Sequence, residues 1–328
     1  MRAIVFVEKE KVEIWDDLEP PQIQRPNEIL IRTSFTGISI GTERWQLIGG
    51  PYSPGFPIIP GYQYVGRVEE VGADVRDLAP GDYVISDYSR PPANYITKGL
   101  KFLDWIWGHQ EVHVTTFERA IKLPADEDLE PYALIPVASI GFHVCRRGRV
   151  APGERVLVLG QGLIGQFCAQ SAKAMGAKVF GCDLDKWRLE VAKQYSCDEV
   201  LGPEKNVMIE QVKKCSPFDV AIETTAGEDT MDLCIDAVRP RGRVVAVAGR
   251  LVMKYNNLKA QLREVEIVHS NHFERQDALD VMQLCRAGKM HIKPLITHRL
   301  MLRDALDFYK SILKSQEKLL GAIINWQT

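Results

Sequence analysis

Short apolar or alternating runs punctuate the first third of the chain, at residues 4–7, 29–34, 64–71, 83–86 and 112–115. Period-two alternation over so few residues predicts half-buried strands. The breaks between them, such as Arg25-Pro26-Asn27, Pro60-Gly61 and Ala79-Pro80-Gly81-Asp82, carry turn chemistry, so this part reads as a compact antiparallel, barrel-like unit. From Arg155 the rhythm changes. Candidate strands at 155–159, 178–182, 200–201, 219–222, 243–248 and 266–269 alternate with helical stretches at 163–174, 186–194, 206–214 and 230–237. Repeated strand-then-helix order implies a parallel sheet with crossover helices. Two more helical patterns, 276–287 and 303–315, and a last strand, 321–325, are expected to return to the first unit. The expected fold is therefore α/β, with a doubly wound parallel sheet at 138–272 inserted in a β-rich barrel domain made of 1–137 and 273–328.

Composition narrows the function. A chain of 328 residues suits two domains, and a formal charge of −2 without long charge runs offers no footprint for nucleic acid or an anionic membrane surface. Met1 leads directly into a strand-like run, and no apolar stretch is long enough to span a bilayer, so a cytoplasmic protein is expected. The seven cysteines, Cys145 to Cys285, are scattered singly with no C-x-x-C pair, which suggests neither a disulfide framework nor a thiolate zinc lobe. They read as small buried apolar residues of a reduced protein.

The densest chemical signal is Gly160, Gly162 and Gly165 in a Gly-x-Gly-x-x-Gly pattern between the 155–159 strand and a small-residue helix opened by Leu163 and Ile164. In a dinucleotide site the first glycine permits the tight turn. The second lets backbone N–H groups approach the pyrophosphate, and the third lets the helix lie close to the sheet. Asp183 ends the next strand about 20 positions on, where a ribose hydroxyl needs an acceptor. The same carboxylate repels a 2′-phosphate, so NAD(H) is expected over NADP(H), with Arg188 able to soften that preference. A plain N-cap is the bland alternative for Asp183; a P-loop is excluded because no Gly-Lys-Ser/Thr follows. Thr224, Thr225, Ala248, Gly249 and Ser270 end later strands on the edge where a dinucleotide lies.

Stretches outside this loop match one family in order: Pro60-Gly61-Tyr62-Gln63-Tyr64-Val65-Gly66-Arg67-Val68, Val71-Gly72-Ala73-Asp74-Val75, Leu78-Ala79-Pro80-Gly81-Asp82-Tyr83-Val84 and Lys122-Leu123-Pro124. With the glycine-rich unit they closely resemble the medium-chain dehydrogenase/reductase superfamily, best known for zinc alcohol dehydrogenases. The resemblance implies a GroES-like catalytic domain interrupted by a Rossmann domain, a homodimer, and a small-molecule alcohol or ketone substrate. It also shows where the chain departs. Thr36-Gly37-Ile38-Ser39-Ile40-Gly41-Thr42-Glu43 replaces a cysteine-bearing stretch, Gly61-Tyr62-Gln63 replaces Gly-His-Glu, and Pro136 or a neighbour stands at the third ligand. None of these is a good zinc ligand, so a metal-free member is expected. The Thr36–Glu43 form is similar to that of a subgroup containing bacteriochlorophyllide a dehydrogenase.

Without zinc, side chains must hold the reacting oxygen. Thr42 corresponds by resemblance to the hydroxyl that begins the family's proton relay, and Tyr62 puts a phenol where a ligand histidine stood; filling the void is its bland reading. Gln63 and Ser39 suit positioning of a polar substrate. Glu43 is the nearest carboxylate, usually a structural group in relatives. Trp45 would narrow the pocket, and Tyr88, Tyr95 and Trp105 lie in a loop that can meet substrate or pack inward. His272 is an acid/base candidate or a coenzyme-contact residue. His109, Glu111 and His113 alternate and are read as solvent-facing strand residues rather than a metal site. The leading function is a zinc-independent NAD(H)-dependent secondary-alcohol dehydrogenase. The alternatives are an NAD(P)H-dependent quinone or enoyl reductase and a non-catalytic NAD(H) sensor.

Overall fold

The computed structural model describes residues 1–314 and 317–327. The chain divides into two compact units, Met1–Pro136 with Lys293–Thr328, and Val137–Ile292. The first unit begins with a hairpin of β1 (Ala3–Glu8) and β2 (Lys11–Trp15), then the long strand β3 (Glu28–Ile38), helix α1 (Ile40–Leu47), β4 (Tyr64–Val71), β5 (Tyr83–Ser86), β6 (Val112–Thr116) and β7 (Ile121–Lys122). Strand β3 organises it. That strand pairs antiparallel with β4 along one edge and, over Glu28 to Arg32, with β6 along the other, and register shifts after Leu30 and Thr33 bend the β3–β4 pair. Ile29, Ile31, Tyr64, Val68 and Val84 fill one core beneath these strands.

Helix α2 (Ile135–Arg147) leads into the second unit, which continues β8 (Arg155–Leu159), α3 (Leu163–Ala174), β9 (Lys178–Cys182), α4 (Lys186–Tyr195), β10 (Glu199–Leu201) and α5 (Lys205–Cys215). It is completed by β11 (Phe218–Glu223), α6 (Thr230–Ala237), β12 (Val238–Ala246), α7 (Asn257–Leu262), β13 (Glu266–His269) and α8 (Arg275–Arg286). The six strands lie in the order β10-β9-β8-β11-β12-β13 and every neighbouring pair is parallel. That order reverses direction between β8 and β11, the switch point at which a doubly wound sheet opens a crevice for ligand. Both faces are covered, so β8 and β11 are continuous apolar runs rather than alternating ones.

The tail β14 (Ile296–Met301), α9 (Ala305–Lys314) and β15 (Gly321–Asn325) returns to the first unit, where β15 pairs antiparallel with β3. Phe308, Tyr309 and Ile312 of α9 enter the core around β1 and β2. The return comes at Lys293 rather than at 273. Helix α8 stays with the second unit because His143 Nδ1 and Asp277 are 2.8 Å apart, Arg146 bonds Asp277 at 2.6 Å, and Gln170 holds the backbone of His291. Residue 315, where the expected last helix ends, lies outside the described residues. Among the described residues no helix is long and apolar enough to cross a membrane.

Candidate active site

The glycine-rich turn has the geometry its sequence implies. Gly160 has φ +93°, which disfavours any side chain. A Cβ on Gly165 would lie 1.9 Å from Gly160 O, so α3 can sit this close only without one. Among the described residues, a Cβ at Gly162, the N-cap of α3, would meet nothing nearer than Arg188 Nη1 at 4.0 Å, and no side chain caps the helix. The helix opening is thus a free cradle of N–H groups with a guanidinium beside it, a fit to the pyrophosphate of a dinucleotide. Asp183 is not the N-cap of α4; Asp185 is, accepting from the Trp187 and Arg188 amides. Asp183 instead accepts from Gln161 N at 2.6 Å and Asp185 N at 2.9 Å, which ties the end of β9 to the turn.

The other strand-end residues brace that edge. Thr224 donates its hydroxyl to Leu159 O at 2.9 Å, and Thr225 donates to the buried Glu223 carboxylate, which also pairs with Arg250. Leu163 is buried, Ile164, Ala248 and Gly249 are half-buried, and the Ser270 hydroxyl is buried without a partner among the described residues. Ser270 and His272 line a concavity of about 850 Å³ in the second unit with His143, Arg146 and Arg147.

In the first unit, three hydroxyls converge. The Tyr62 phenol donates to Ser39 Oγ at 3.1 Å, and Ser39 Oγ donates to Thr42 Oγ1 at 3.2 Å. Ser39 is the N-cap between β3 and α1, Thr42 lies in the first turn of α1, and Tyr62 stands two residues before β4, so the antiparallel β3–β4 pairing brings them together. Burial drives the Tyr62 phenol pKa well above its usual value; the Ser39 bond lowers it, while Glu43 and Tyr52 add to the rise. Tyr62 is accordingly a neutral donor at ordinary pH.

Beneath them lies a network that the sequence did not reveal. Glu43 is fully buried and accepts from Ser39 N at 2.7 Å, from Tyr309 OH, and from His109 Nε2 at 2.9 Å. His109 Nδ1 lies 2.8 Å from Thr36 Oγ1, which also accepts from Trp326 Nε1 at 3.0 Å. Because the indole can only donate, the Thr36 hydroxyl proton is free for His109 Nδ1, and the Nε2 proton then points at Glu43. Burial and the Glu43 charge hold the Tyr309 phenol well above its usual pKa.

The histidines correct one expectation. His109 and His113 are fully buried, not solvent-facing; His113 stacks on Tyr64 with centroids 3.6 Å apart, and neither of its ring nitrogens has a partner among the described residues. Glu111 turns instead to Arg2 at 2.9 Å. The three do not share a face because strand β6 begins only at Val112.

The remaining candidates scatter. Gln63 is fully buried beside Gly37, whose Cβ would come within 2.9 Å of Gln63 Cδ. The Trp45 ring packs on Gly50, Tyr88 lies under Arg119, and Tyr95 joins Phe102 and Trp107 against the core. Trp105 meets Tyr52 edge-on, a residue absent from the expected site.

The resemblance implies a catalytic zinc, and the residues at those positions do not fit one. Ser39 and Tyr62 spend their oxygens on each other, and Pro136 has no donor atom. Glu43 already accepts three hydrogen bonds. Among the described residues no group of three or more His, Cys, Asp or Glu side chains is placed to hold a metal.

Comparison with known proteins places this geometry in a family. A model for the alcohol dehydrogenase GroES-like domain matches residues 25–131, and one for zinc-binding dehydrogenase matches residues 164–287. Sorbitol dehydrogenase from Homo sapiens is 32% identical over 313 residues, covering 88% of this chain and 87% of that protein. L-idonate 5-dehydrogenase from Vitis vinifera is 30% identical over 266 residues, covering 74% and 72%. Zinc dependent alcohol dehydrogenase 2 from Streptococcus pneumonia has a similar fold, with a TM-score of 0.86 at 22% identity over 100% of this chain and 99% of that one. Matched in both domain types and along most of its length, the chain belongs to the zinc-binding dehydrogenase family and is a medium-chain alcohol dehydrogenase that uses NAD(P).

Proposed function

We propose that this enzyme interconverts a secondary alcohol and a ketone with NAD(H) and without zinc. The observation that carries the reading is the Tyr62–Ser39–Thr42 hydroxyl chain at the positions where the family's metal ligands and proton relay stand. When bound, the nicotinamide accepts or returns a hydride. The chain's own task is to hold the alcohol oxygen and move its proton. Tyr62, kept neutral by burial, donates its own proton to Ser39 Oγ and so accepts the alcohol O–H, which orients the oxygen and takes up its proton; in ketone reduction the same phenol turns its proton to the carbonyl oxygen. Asp183 supports a preference for NAD(H), since its carboxylate sits at the end of β9 where a 2′-phosphate would have to lie.

The relatives named for sorbitol, L-idonate and D-xylulose make polyols and their ketones the first substrates to assay. Cyclic and ring-attached secondary alcohols come next, because Tyr62 and the Tyr52–Trp105 pair offer apolar surface. NAD⁺ reduction against that panel is the test. Turnover of quinones or enones with NADPH alone would replace this reading with the reductase, and coenzyme binding without turnover of any class would replace it with a sensor.

We also propose a cytoplasmic homodimer. All seven cysteines are free, which suits a reducing compartment, and Leu251, Val252, Leu258 and Leu262 expose 62–85% of their surface in one short segment, which suits a second copy. Light scattering on the wild type and on Leu251→Asp/Leu262→Asp checks the second point; a wild-type monomer would overturn it.

A further inference from the structure

We propose that Ser39 carries the reaction's proton from Tyr62 to Thr42, and that the buried Glu43–His109 pair holds it in place to do so. The inference rests on the reading above, in which Tyr62 meets the reacting oxygen.

The three hydroxyls form an ordered path. Tyr62 is 6% exposed and Ser39 is 3% exposed, whereas Thr42 is half-buried, so the path runs from a dry end toward solvent. Its steps are 3.1 Å and 3.2 Å, slightly longer than the roughly 2.5–3.0 Å of a tight O–H···O bond, so the path is in place and has to contract a little for each hydroxyl to pass its proton on while accepting from the one before. Oxidation then balances as follows. The substrate C–H bond breaks with its electron pair passing to NAD⁺, and the C–O bond becomes C=O. The alcohol proton goes to Tyr62 Oη as the Tyr62 proton moves to Ser39 Oγ, the Ser39 proton to Thr42 Oγ1, and the Thr42 proton to water. Ketone reduction runs the same path backwards. No member of the path ends with a net charge.

Glu43 is the obvious rival acceptor, and its surroundings exclude that role. Its oxygens already take Ser39 N–H, Tyr309 OH and His109 Nε2–H, and none of its surface reaches solvent. A proton placed there would cancel the charge on which the Tyr309 and His109 bonds rest, and it would have no exposed surface from which to leave. What Glu43 does is fix Ser39 by its backbone N–H at 2.7 Å, leaving the Ser39 hydroxyl free to face Tyr62 and Thr42. His109, fastened on its other side to Thr36 and through it to Trp326, fixes Glu43. Ser39 and His109 are thus positioning residues that act through Tyr62, and Ser39 is also a relay.

The experiment compares wild type with Ser39→Ala and Ser39→Thr in two ways. In coenzyme-free protein carrying 13Cζ-labelled tyrosine, the Tyr62 resonance is assigned by its loss in Tyr62→Phe. It should shift in Ser39→Ala and return toward the wild-type position in Ser39→Thr. In turnover with the best secondary alcohol, a proton inventory in H2O/D2O mixtures should be curved for wild type, reporting several protons in flight. It should become linear in Ser39→Ala, with kcat lowered about 10²-fold and NADH affinity unchanged, and Ser39→Thr should recover both. An unshifted Tyr62 resonance, or a Ser39→Ala enzyme with wild-type curvature and kcat within twofold, overturns the relay. If Ser39→Ala does not fold, Ser39→Thr and His109→Gln decide instead, the latter expected to lower kcat and flatten the curve at unchanged NADH affinity. Failure of the wild type to oxidise any secondary alcohol would fall on the proposed reaction; the tyrosine resonance would still test the hydrogen-bond chain by itself.

Discussion

The carboxylate of Asp183 accepts the backbone N–H of Gln161 at 2.6 Å, so the acid that ends β9 also braces the glycine-rich turn after β8. On the role proposed for Asp183, selection of the coenzyme's ribose and the shape of its phosphate cradle are joined in one side chain. Asp183→Ser should lose both. We expect NADH affinity to fall by about 1.5–3 kcal/mol, roughly tenfold or more, with a smaller loss or a gain for NADPH. Fluorescence titration of both coenzymes checks this, and tighter NADPH than NADH binding by the wild type would show the preference to be misassigned.

The close approach of α3 to the sheet depends on Gly165. Gly165→Ala places a methyl 1.9 Å from Gly160 O. The helix must back away, at a cost of about 1–3 kcal/mol in stability, and NADH binding should weaken because the N–H groups move with it. Thermal melting and coenzyme titration together measure the two effects.

Tyr62→Phe keeps the ring and deletes the phenol. A kcat about 10²–10⁴-fold lower, with NADH binding little changed, is the outcome expected of a group that works on the reacting oxygen. Unchanged kcat would leave Tyr62 as a filler of space.

Protein purified without added zinc should contain far less than one zinc per chain and keep its activity in a chelator, as judged by elemental analysis and assay. Stoichiometric zinc whose removal abolishes turnover would refute the donor-set argument.

Stability should depend on His113. Burial, with a contribution from the neighbouring His109, pushes its pKa well below 6.5, so the unfolded chain binds a proton that the folded one refuses. Its neutral form is accommodated fully above pH 6.5, and stability is lost as pH falls from there toward the lowered folded pKa, by at most about 1.4 kcal/mol per pH unit. His298, also lowered by burial, adds in the same direction, whereas Glu111, itself lowered, matters only below its ordinary 4.5. His113→Phe should flatten the melting temperature between pH 7 and 5; an unaltered slope would assign the effect elsewhere.

Much of the second unit was legible because its signals are local. The 163–174, 230–237 and 266–269 elements are found where the pattern puts them, and the roles of Gly160 and Gly165 follow from backbone geometry alone. The site in the first unit was only half legible. Tyr62, Ser39 and Thr42 could be singled out by their neighbours in sequence, but Tyr309 and Trp326 could not, since nothing local marks a residue that reaches a partner across the fold. The histidines were misread for a related reason. Alternation predicts one wet face, whereas β6 is buried on both, from Val112 to Thr115, and His113 lies opposite the buried Ile31 of β3. The late return of the chain at Lys293 was hidden too, because it is decided by Asp277 meeting His143, a pairing without sequence proximity.

The partners of Glu43 and Thr36 lie 266 and 290 positions downstream, at Tyr309 and Trp326. Synthesis from the N-terminus therefore delivers the three hydroxyls early and their supports last. Until those residues leave the ribosome, Glu43 and Thr36 hold His109 between them without the Tyr309 and Trp326 donors that complete the network. Truncation before Tyr309 would then spare Tyr62, Ser39 and Thr42 and still take two donors from the network beneath them.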